Sequence, residues 1–458
     1  MSTSKINVLS GVFSIFACLM FSSCGKDWME EKGDKKTSTI ATAQDLQALL
    51  DNGVNLNINT TPLGPEIAAD GHYITEATWN RYRGTINQNR YTWTNAILYE
   101  TVTDWNGPYF AVLNCNVVLT EAERFAGDAR IPNIKAQAQF FRAMAFLNLA
   151  VAYAPAYKES SAGSDVGIPI RLSDDVNEPS VRSSVKKTYE QILFDLNACI
   201  NNLPTVAPVI TQPSKPAALA LLARTYLYMG DYSNAGKYAD QCLQLANQLL
   251  TYDSLPAGKG FIGVNKEVLL VCLVPAAREV TRDYLIDQSL VDLYEENDKR
   301  RSQFFVQRGG GFQFIGTYGN SGSDLFAGVA VDEVYLIRAE CYARENKVEK
   351  AMETLNNLVR TRYAKKEDGT TTYVDQTAVD KIDALRKIFL ERRKQLILRN
   401  IRWADLKRLN LESEFAITIS RSIAGQTYTL EPNSYKYNFP VPAEIIRASS
   451  IPQNPGWE

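Results

Sequence analysis

The sequence predicts a mostly α-helical protein, a scaffold of helical hairpins that carries long irregular insertions. Residues 134–153 are apolar almost all round, as a helix packed among others must be. Two later segments repeat one template of small and aromatic residues around a tight turn. Between these stretches lie segments rich in Gly, Pro and Asn, where regular helix cannot persist.

The elements follow in order. A first helix begins near Thr42, where Thr42 and Asp45 offer capping chemistry and Leu46, Leu49 and Leu50 form the apolar side. Residues 51–110 read as irregular, with only short helical pieces. The helix at 134–153 is followed by a second, whose face is Tyr189, Ile192, Leu193, Leu196 and Ile200 and which stops at Leu203-Pro204. Together they read as a hairpin with a long loop inserted. In 218–243 the template is Leu219, Ala223, Tyr226, Gly230, Tyr232, Ala235. In 335–358 it recurs as Tyr335, Ala339, Tyr342, Asn346, Ala351. Small residues so spaced let two antiparallel helices touch, which is the tetratricopeptide (TPR) signature; stacked hairpins of this kind build a right-handed superhelical scaffold. Plain helix pairs without such stacking are the alternative. Residues 251–330 read as a second irregular region, with Gly309-Gly310-Gly311 inside it.

Residues 388–409 read as one dense helix in which Glu391, Arg392, Arg393, Arg402 and Asp405 surround a Leu/Ile/Trp stripe. Those charges suit a catalytic or anion site or, the preferred reading, ion pairs and hydrogen bonds that lock helices around a core Trp403. The tail at 437–457 holds Pro440, Pro442, Pro452 and Pro455, so it is expected to run extended, fixed by Phe439 and Trp457.

The first residues have the order of a secretory signal: Lys5, an apolar run at 6–21, then Ser22-Ser23 and Cys24. The run is shorter than the ~20 residues that span a bilayer. A cysteine just after the small pair predicts a lipoprotein signal (1–23) whose Cys24 thiol is acylated; a cleaved soluble protein is the alternative. Residues 24–40 then form a charged tether, and 41–458 one domain, with an N-terminal half to about 330 and a C-terminal part from 331.

Composition excludes several classes. With 49 Lys+Arg against 51 Asp+Glu, no basic surplus exists to hold nucleic acid. His72 is the one histidine, read as a surface loop residue, so histidine-rich metal sites are excluded and any catalytic triad would rest on it alone. Cys115, Cys199, Cys242, Cys272 and Cys341 are odd in number, widely spaced and set in apolar stretches, which predicts buried thiols. No cofactor, metal or catalytic residue is predicted, and nothing marks the carboxylate pair a glycosidase needs.

At several segments the chain resembles the SusD/RagB family of surface nutrient-binding lipoproteins. The matching motifs are Glu391-Arg392-Arg393, Arg402-Trp403, Asp405-Leu406-Lys407-Arg408, Phe439 to Pro442, Gln453 to Gly456, Arg142 in FFRAMAFLNL, and Lys26-Asp27-Trp28 after Cys24. Gln395 departs from the family's usual Glu, and Arg399-Asn400 from a usual Glu-Gly. The resemblance implies a SusD-like, TPR-containing fold without catalytic activity, lipid-anchored in the outer membrane and facing the exterior. It implies capture of oligosaccharides for a SusC-like TonB-dependent transporter; a peptide-binding member, or a TPR scaffold without small ligand, are the alternatives.

Sugar rings stack on aromatic faces, and their hydroxyls pair with Asp, Asn and Arg. Residues 70–109 are rich in these types, and Asp70, Tyr73, Trp79, Tyr82, Arg83 and Trp93 are the ligand candidates there. Trp79 and Tyr82, in the polar setting ATWNRYRG, are the ones most expected to be exposed; Trp105 and Tyr109 read as core. A second candidate loop, 308–328, adds Phe314 and Tyr318, with Phe312 and Asn320 alongside them.

Overall fold

Helices form where polar caps precede small and apolar runs. The computed structural model describes residues 40–457 apart from 83–84, 95–102, 264, 275–277 and 320–323. The signal, the tether up to residue 39, Cys24, Arg83 and Asn320 lie outside the described residues. Among the described residues, the ten helices of eight residues or more organise the fold: α1 (Ala43–Leu50), α2 (Thr103–Glu121), α3 (Ile131–Tyr153), α4 (Val185–Cys199), α5 (Lys215–Met229), α6 (Tyr232–Leu245), α7 (Val331–Arg344), α8 (Val348–Val359), α9 (Lys381–Gln395) and α10 (Arg402–Leu409). Side chains of Ser184, Ser214, Asp231 and Asp380 accept from first-turn N–H groups of α4, α5, α6 and α9 at 2.8–3.3 Å. Each satisfies a donor the helix itself leaves open.

Packing follows chain order: α2 on α3, α3 on α4, α4 on α5, α5 on α6, α6 on α7, and α7 on both α8 and α9. The fold is mostly α-helical, with TPR-like hairpins at α3/α4, α5/α6 and α7/α8. Template positions match in conformation as well as sequence. Gly230 (φ 74°) and Asn346 (φ 60°) both turn left-handed between their helices. Ala223, Ala235, Ala339 and Ala351 are fully buried, so backbones approach where a larger side chain would hold them apart.

The expected single helix at 388–409 is instead α9 and α10, separated by residues 396–401. Leu398 (φ 53°) and Asn400 (φ 55°) take the left-handed region there. Asn tolerates that conformation and a β-branched residue does not. Asn400→Gly is expected to be neutral or slightly stabilising, and Asn400→Val to cost about 1–3 kcal/mol in chemical unfolding.

The insertions hold small antiparallel sheets. Strands β1 (His72–Tyr73), β2 (Leu285–Ile286), β3 (Phe305–Arg308) and β4 (Gly311–Phe314) form one sheet in the order β1-β2-β4-β3. Segment 308–328, expected as a loop, therefore contributes strands. Gly309 and Gly310 (φ 62° and 86°) supply the two positive φ values that a two-residue hairpin turn needs. A second hairpin pairs β5 (Ile419–Ile423) with β6 (Gln426–Leu430). Aromatic residues Tyr82, Tyr91, Tyr252, Tyr284, Tyr294, Phe304, Phe305 and Phe314 form much of the core beneath the first sheet.

The tail runs extended except for a short helix, Ala443–Ser449, between its prolines. Phe439 and Trp457 are buried, and Asn454 Nδ2 donates to Tyr153 and Phe439 carbonyls at 2.8 and 2.6 Å. The five described cysteines are free and buried.

Candidate functional site

The N-terminal candidates lie on short elements. Thr75 caps the helix Glu76–Arg81, accepting from Thr78 N–H at 3.2 Å. That helix follows β1 directly and places Trp79 beside the β5/β6 hairpin. Trp79 is half-buried, its ring 6.4 Å from that of Tyr428, which is also half-buried. Tyr73 on β1 and Phe312 on β4 are half-buried too, and the Tyr73 hydroxyl would come within 2.9 Å of a Cβ placed on Gly311. Arg81 pairs with Asp283 at 3.1 Å, and Gln313 Nε2 donates to the Arg282 carbonyl at 2.6 Å. Half-exposed rings with a charged pair and an amide nearby are what sugar stacking and hydroxyl recognition require.

The other candidates sit differently. Tyr82, expected exposed, is buried, and its hydroxyl donates to Asp283 Oδ2 at 2.5 Å, fixing the carboxylate that holds Arg81. Trp93 is 2% exposed, donates from Nε1 to the Ala68 carbonyl at 3.0 Å and lies under the Arg421 guanidinium at 4.6 Å. Phe314 is buried in the aromatic core. Asp70 is held by Arg402 (2.7 and 2.9 Å) and Arg393 (3.4 Å); burial raises its carboxyl pKa, but the two guanidiniums outweigh that and hold it well below the usual carboxylate range. His72, expected at the surface, is buried against Tyr284 at 4.7 Å, and burial pushes its imidazole well below its ordinary pKa. These residues face inward because the short elements bearing them pack their apolar sides onto the core.

Tyr318, 1% exposed, belongs to a buried polar network. Its hydroxyl meets Tyr252 (2.6 Å), Glu267 (3.2 Å) and Asp332 (3.2 Å). Arg362 spans Glu267 at 2.8 and 2.9 Å, and Arg399 approaches Asp332 at 3.3 Å. Arg300 pairs with Asp298 (2.6 Å) and Glu391 (2.8 Å), both of which Lys394 reaches at 3.2 Å. Four cations thus face four carboxylates. Gln395 bridges them, donating to Asp332 at 2.9 Å and accepting from Arg362 at 3.1 Å. A Glu there would face Asp332, so the departure from the family's residue keeps the balance. Arg392 and Arg408 likewise hold Asp405 at 2.7 and 2.9 Å, and Trp403 is buried beside them. The charges of 388–409 lock helices together.

Glu66 gives this region a pH signature. It is 2% exposed, accepts from Asn400 N–H at 2.7 Å, and burial pushes its carboxyl up to about 7 from an ordinary 4.5. A raised folded pKa contributes stability that is complete below the unfolded value and lost as pH rises through the folded one. Glu66→Gln is therefore expected to be more stable than the native chain above about pH 7 and to lose that advantage on acidification toward about 4.5, read as urea midpoints across that range.

A separate cleft of about 290 Å3 lies between α2, residues 169–180 and the tail helix, walled by Trp105, Tyr109, Leu113, Val176 and Ile445, with Arg171 and Ser180 at polar positions. Trp105 is buried as expected, while Tyr109 forms part of the wall and donates to the Pro169 carbonyl at 2.8 Å. Among the described residues, no group of three His, Cys, Asp or Glu is placed to hold a metal ion.

Sequence reasoning missed Tyr428. Its signal was the alternating polar and apolar run at 419–430 around Ala424-Gly425, both at positive φ (51° and 74°).

The fold is a helical scaffold that carries long insertions with small sheets. The family "starch-binding associating with outer membrane" matches residues 27–227, and the SusD family matches 331–457. The chain belongs to the SusD/RagB family. Among solved structures it resembles a SusD superfamily protein from Bacteroides thetaiotaomicron, with 20% identity, TM-score 0.71, 91% of this chain and 100% of that one covered. It also resembles a SusD-like carbohydrate binding protein from Bacteroides vulgatus, with 21% identity, TM-score 0.68, 89% and 96% covered. A SusD superfamily protein from Bacteroides fragilis has 19% identity, TM-score 0.69, 90% and 99% covered. No protein of curated function matches the chain in sequence.

Proposed function

We propose that the protein is a non-catalytic glycan-capture lipoprotein of the outer membrane, exposed to the exterior, which passes oligosaccharides to a SusC-like TonB-dependent transporter. The observation that carries the binding role is the half-buried ring pair of Trp79 and Tyr428, with the Arg81–Asp283 ion pair at the end of the helix that bears Trp79. Its position on insertions suits binding, because the helical scaffold fixes the short elements that present the rings. The carbohydrate-binding relative from Bacteroides vulgatus and the starch-binding description of the matched family support a sugar as ligand. Arg83 remains a candidate contact; Asp70, Tyr82, Trp93, Phe314 and Tyr318 act from behind, holding the platform. Isothermal titration against a glycan panel tests the reading: saturable binding of a glycan is expected, and binding of peptides alone would move the protein to the peptide-binding alternative.

A second reading places the sugar in the Trp105–Tyr109 cleft, favoured by that cleft's volume. Tyr109→Ala would then abolish binding and Trp79→Ala would not.

Among the described residues no helix is long and apolar enough to cross a membrane. In this reading attachment rests on acylated Cys24. Cys24→Ala is expected to release a folded, ligand-binding chain that no longer supports uptake, checked by membrane fractionation and growth on the glycan. Persistent membrane association without the transporter would overturn the anchor.

A further inference from the structure

On β5 alternate residues face inward: Ile419, Arg421 and Ile423 are buried, and Ser420 and Ser422 are exposed. The partner of Arg421 across the hairpin is Tyr428. Directly opposed residues of an antiparallel pair share a face, so the Arg421 and Tyr428 side chains leave the hairpin on the same side. Arg421 is 7% exposed, and its hydrogen-bond acceptors are backbone carbonyls. Nη1 donates to Tyr91 and to Ile67 (3.3 Å), and Nη2 to Ala69 and to Ala68 (3.4 Å). The guanidinium carbon lies 4.0 Å from the Tyr91 ring centroid and 4.6 Å from that of Trp93. Ala69 and Tyr91 flank the stretch that bears β1 and the helix Glu76–Arg81. One side chain thus grips both ends of the segment that presents Trp79, from the hairpin that presents Tyr428.

We propose that Arg421 is a positioning residue for the ring pair, setting the distance and tilt between Trp79 and Tyr428 and so the fit of a sugar ring against them. The proposal rests on the reading of that pair as the glycan site. Arg421 touches no ligand in this account; it acts through the backbone at 67–69 and 91. A buried charge is costly, and a Met or Leu would fill an inward position without that cost. What an apolar side chain lacks is the fork, which donates in several fixed directions at once and so reaches carbonyls of two separate backbone stretches. The other polar ties of the Trp79 helix reach partners off the hairpin. Tyr82 and Arg81 hold Asp283, and Ile74 N–H donates to the Tyr91 hydroxyl at 3.3 Å.

The test reads ring geometry and affinity separately. The chain is labelled with 5-fluorotryptophan, and the Trp79 resonance is assigned by its absence in Trp79→Phe. In Arg421→Lys, which keeps the charge and loses the fork, the Trp79 signal is expected to shift or broaden with no ligand present. Affinity for the glycan that the titration panel selects, maltoheptaose included, is expected to fall about tenfold. Arg142→Lys is the control. Arg142 is buried on Asp195 (2.9 and 2.7 Å) between α3 and α4, so its loss should lower the unfolding midpoint and leave both the Trp79 signal and the affinity unchanged. In the Trp79→Ala background, Arg421→Lys is expected to cost less than about threefold more, because the two changes act on one contact. Arg421→Gln, which buries no charge, gives the same readouts if the lysine variant does not fold. An unmoved Trp79 signal, or a further loss of about tenfold in the Trp79→Ala background, would overturn the assignment. A shifted signal in a chain that binds no glycan would keep Arg421 as the residue that sets the pair, and would overturn only the pair's role as a sugar site.

Discussion

Arg362→Ala is expected to destabilise the fold by about 3–5 kcal/mol, measured by guanidinium unfolding. Arg362 is fully buried and reaches both oxygens of Glu267, the Leu250 carbonyl at 2.8 Å and Gln395. Burial already pushes the Glu267 carboxyl up, and Arg362 is the largest influence holding it down. Removing the guanidinium would leave a buried carboxylate facing Asp332 without its main counter-charge. Breaking one side of such a pair costs far more than replacing both, because the stranded charge carries the desolvation penalty. The double variant Arg362→Met with Glu267→Leu should therefore recover most of the loss. Equal destabilisation in the single and double variants would show that packing, rather than charge, dominates there.

The second large effect concerns ligand. Trp79→Ala and Tyr428→Ala are each expected to weaken glycan binding about tenfold, and together about a hundredfold. Both rings are only partly buried and sit at the margin of the core, so unfolding midpoints should move little beside the affinity. Trp93→Ala should do the reverse. That ring is enclosed between Ala68 and Arg421, and its loss would destabilise the whole 64–93 segment before it touched a ligand.

The scaffold was legible in the sequence because its signals are local. The Ala and Gly positions of α5/α6 and the Ala and Asn positions of α7/α8 dictate close helix contact through side-chain size alone, and the left-handed turns at Gly230 and Asn346 fall where the template requires. The break between α9 and α10 was less visible. Leu398 carries no turn signal, and its left-handed conformation is held by burial at 3% exposure. The candidate site was legible in composition and not in orientation. Residues 70–93 do carry the expected aromatic and polar types, but which rings face outward depends on pairings with distant strands. His72 pairs with Ile286 and Trp79 meets Tyr428, partners hundreds of residues away. A two-residue strand such as β1 shows no alternation from which a facing can be read.

The most direct measurement is a crystal structure of the protein with a glycan selected by titration. The account requires a sugar ring stacked on Trp79 or Tyr428, with hydroxyls toward Arg81 or Asp283. A glycan ordered only in the Trp105–Tyr109 cleft, or a peptide on the Trp79–Tyr428 pair in place of any sugar, would contradict it.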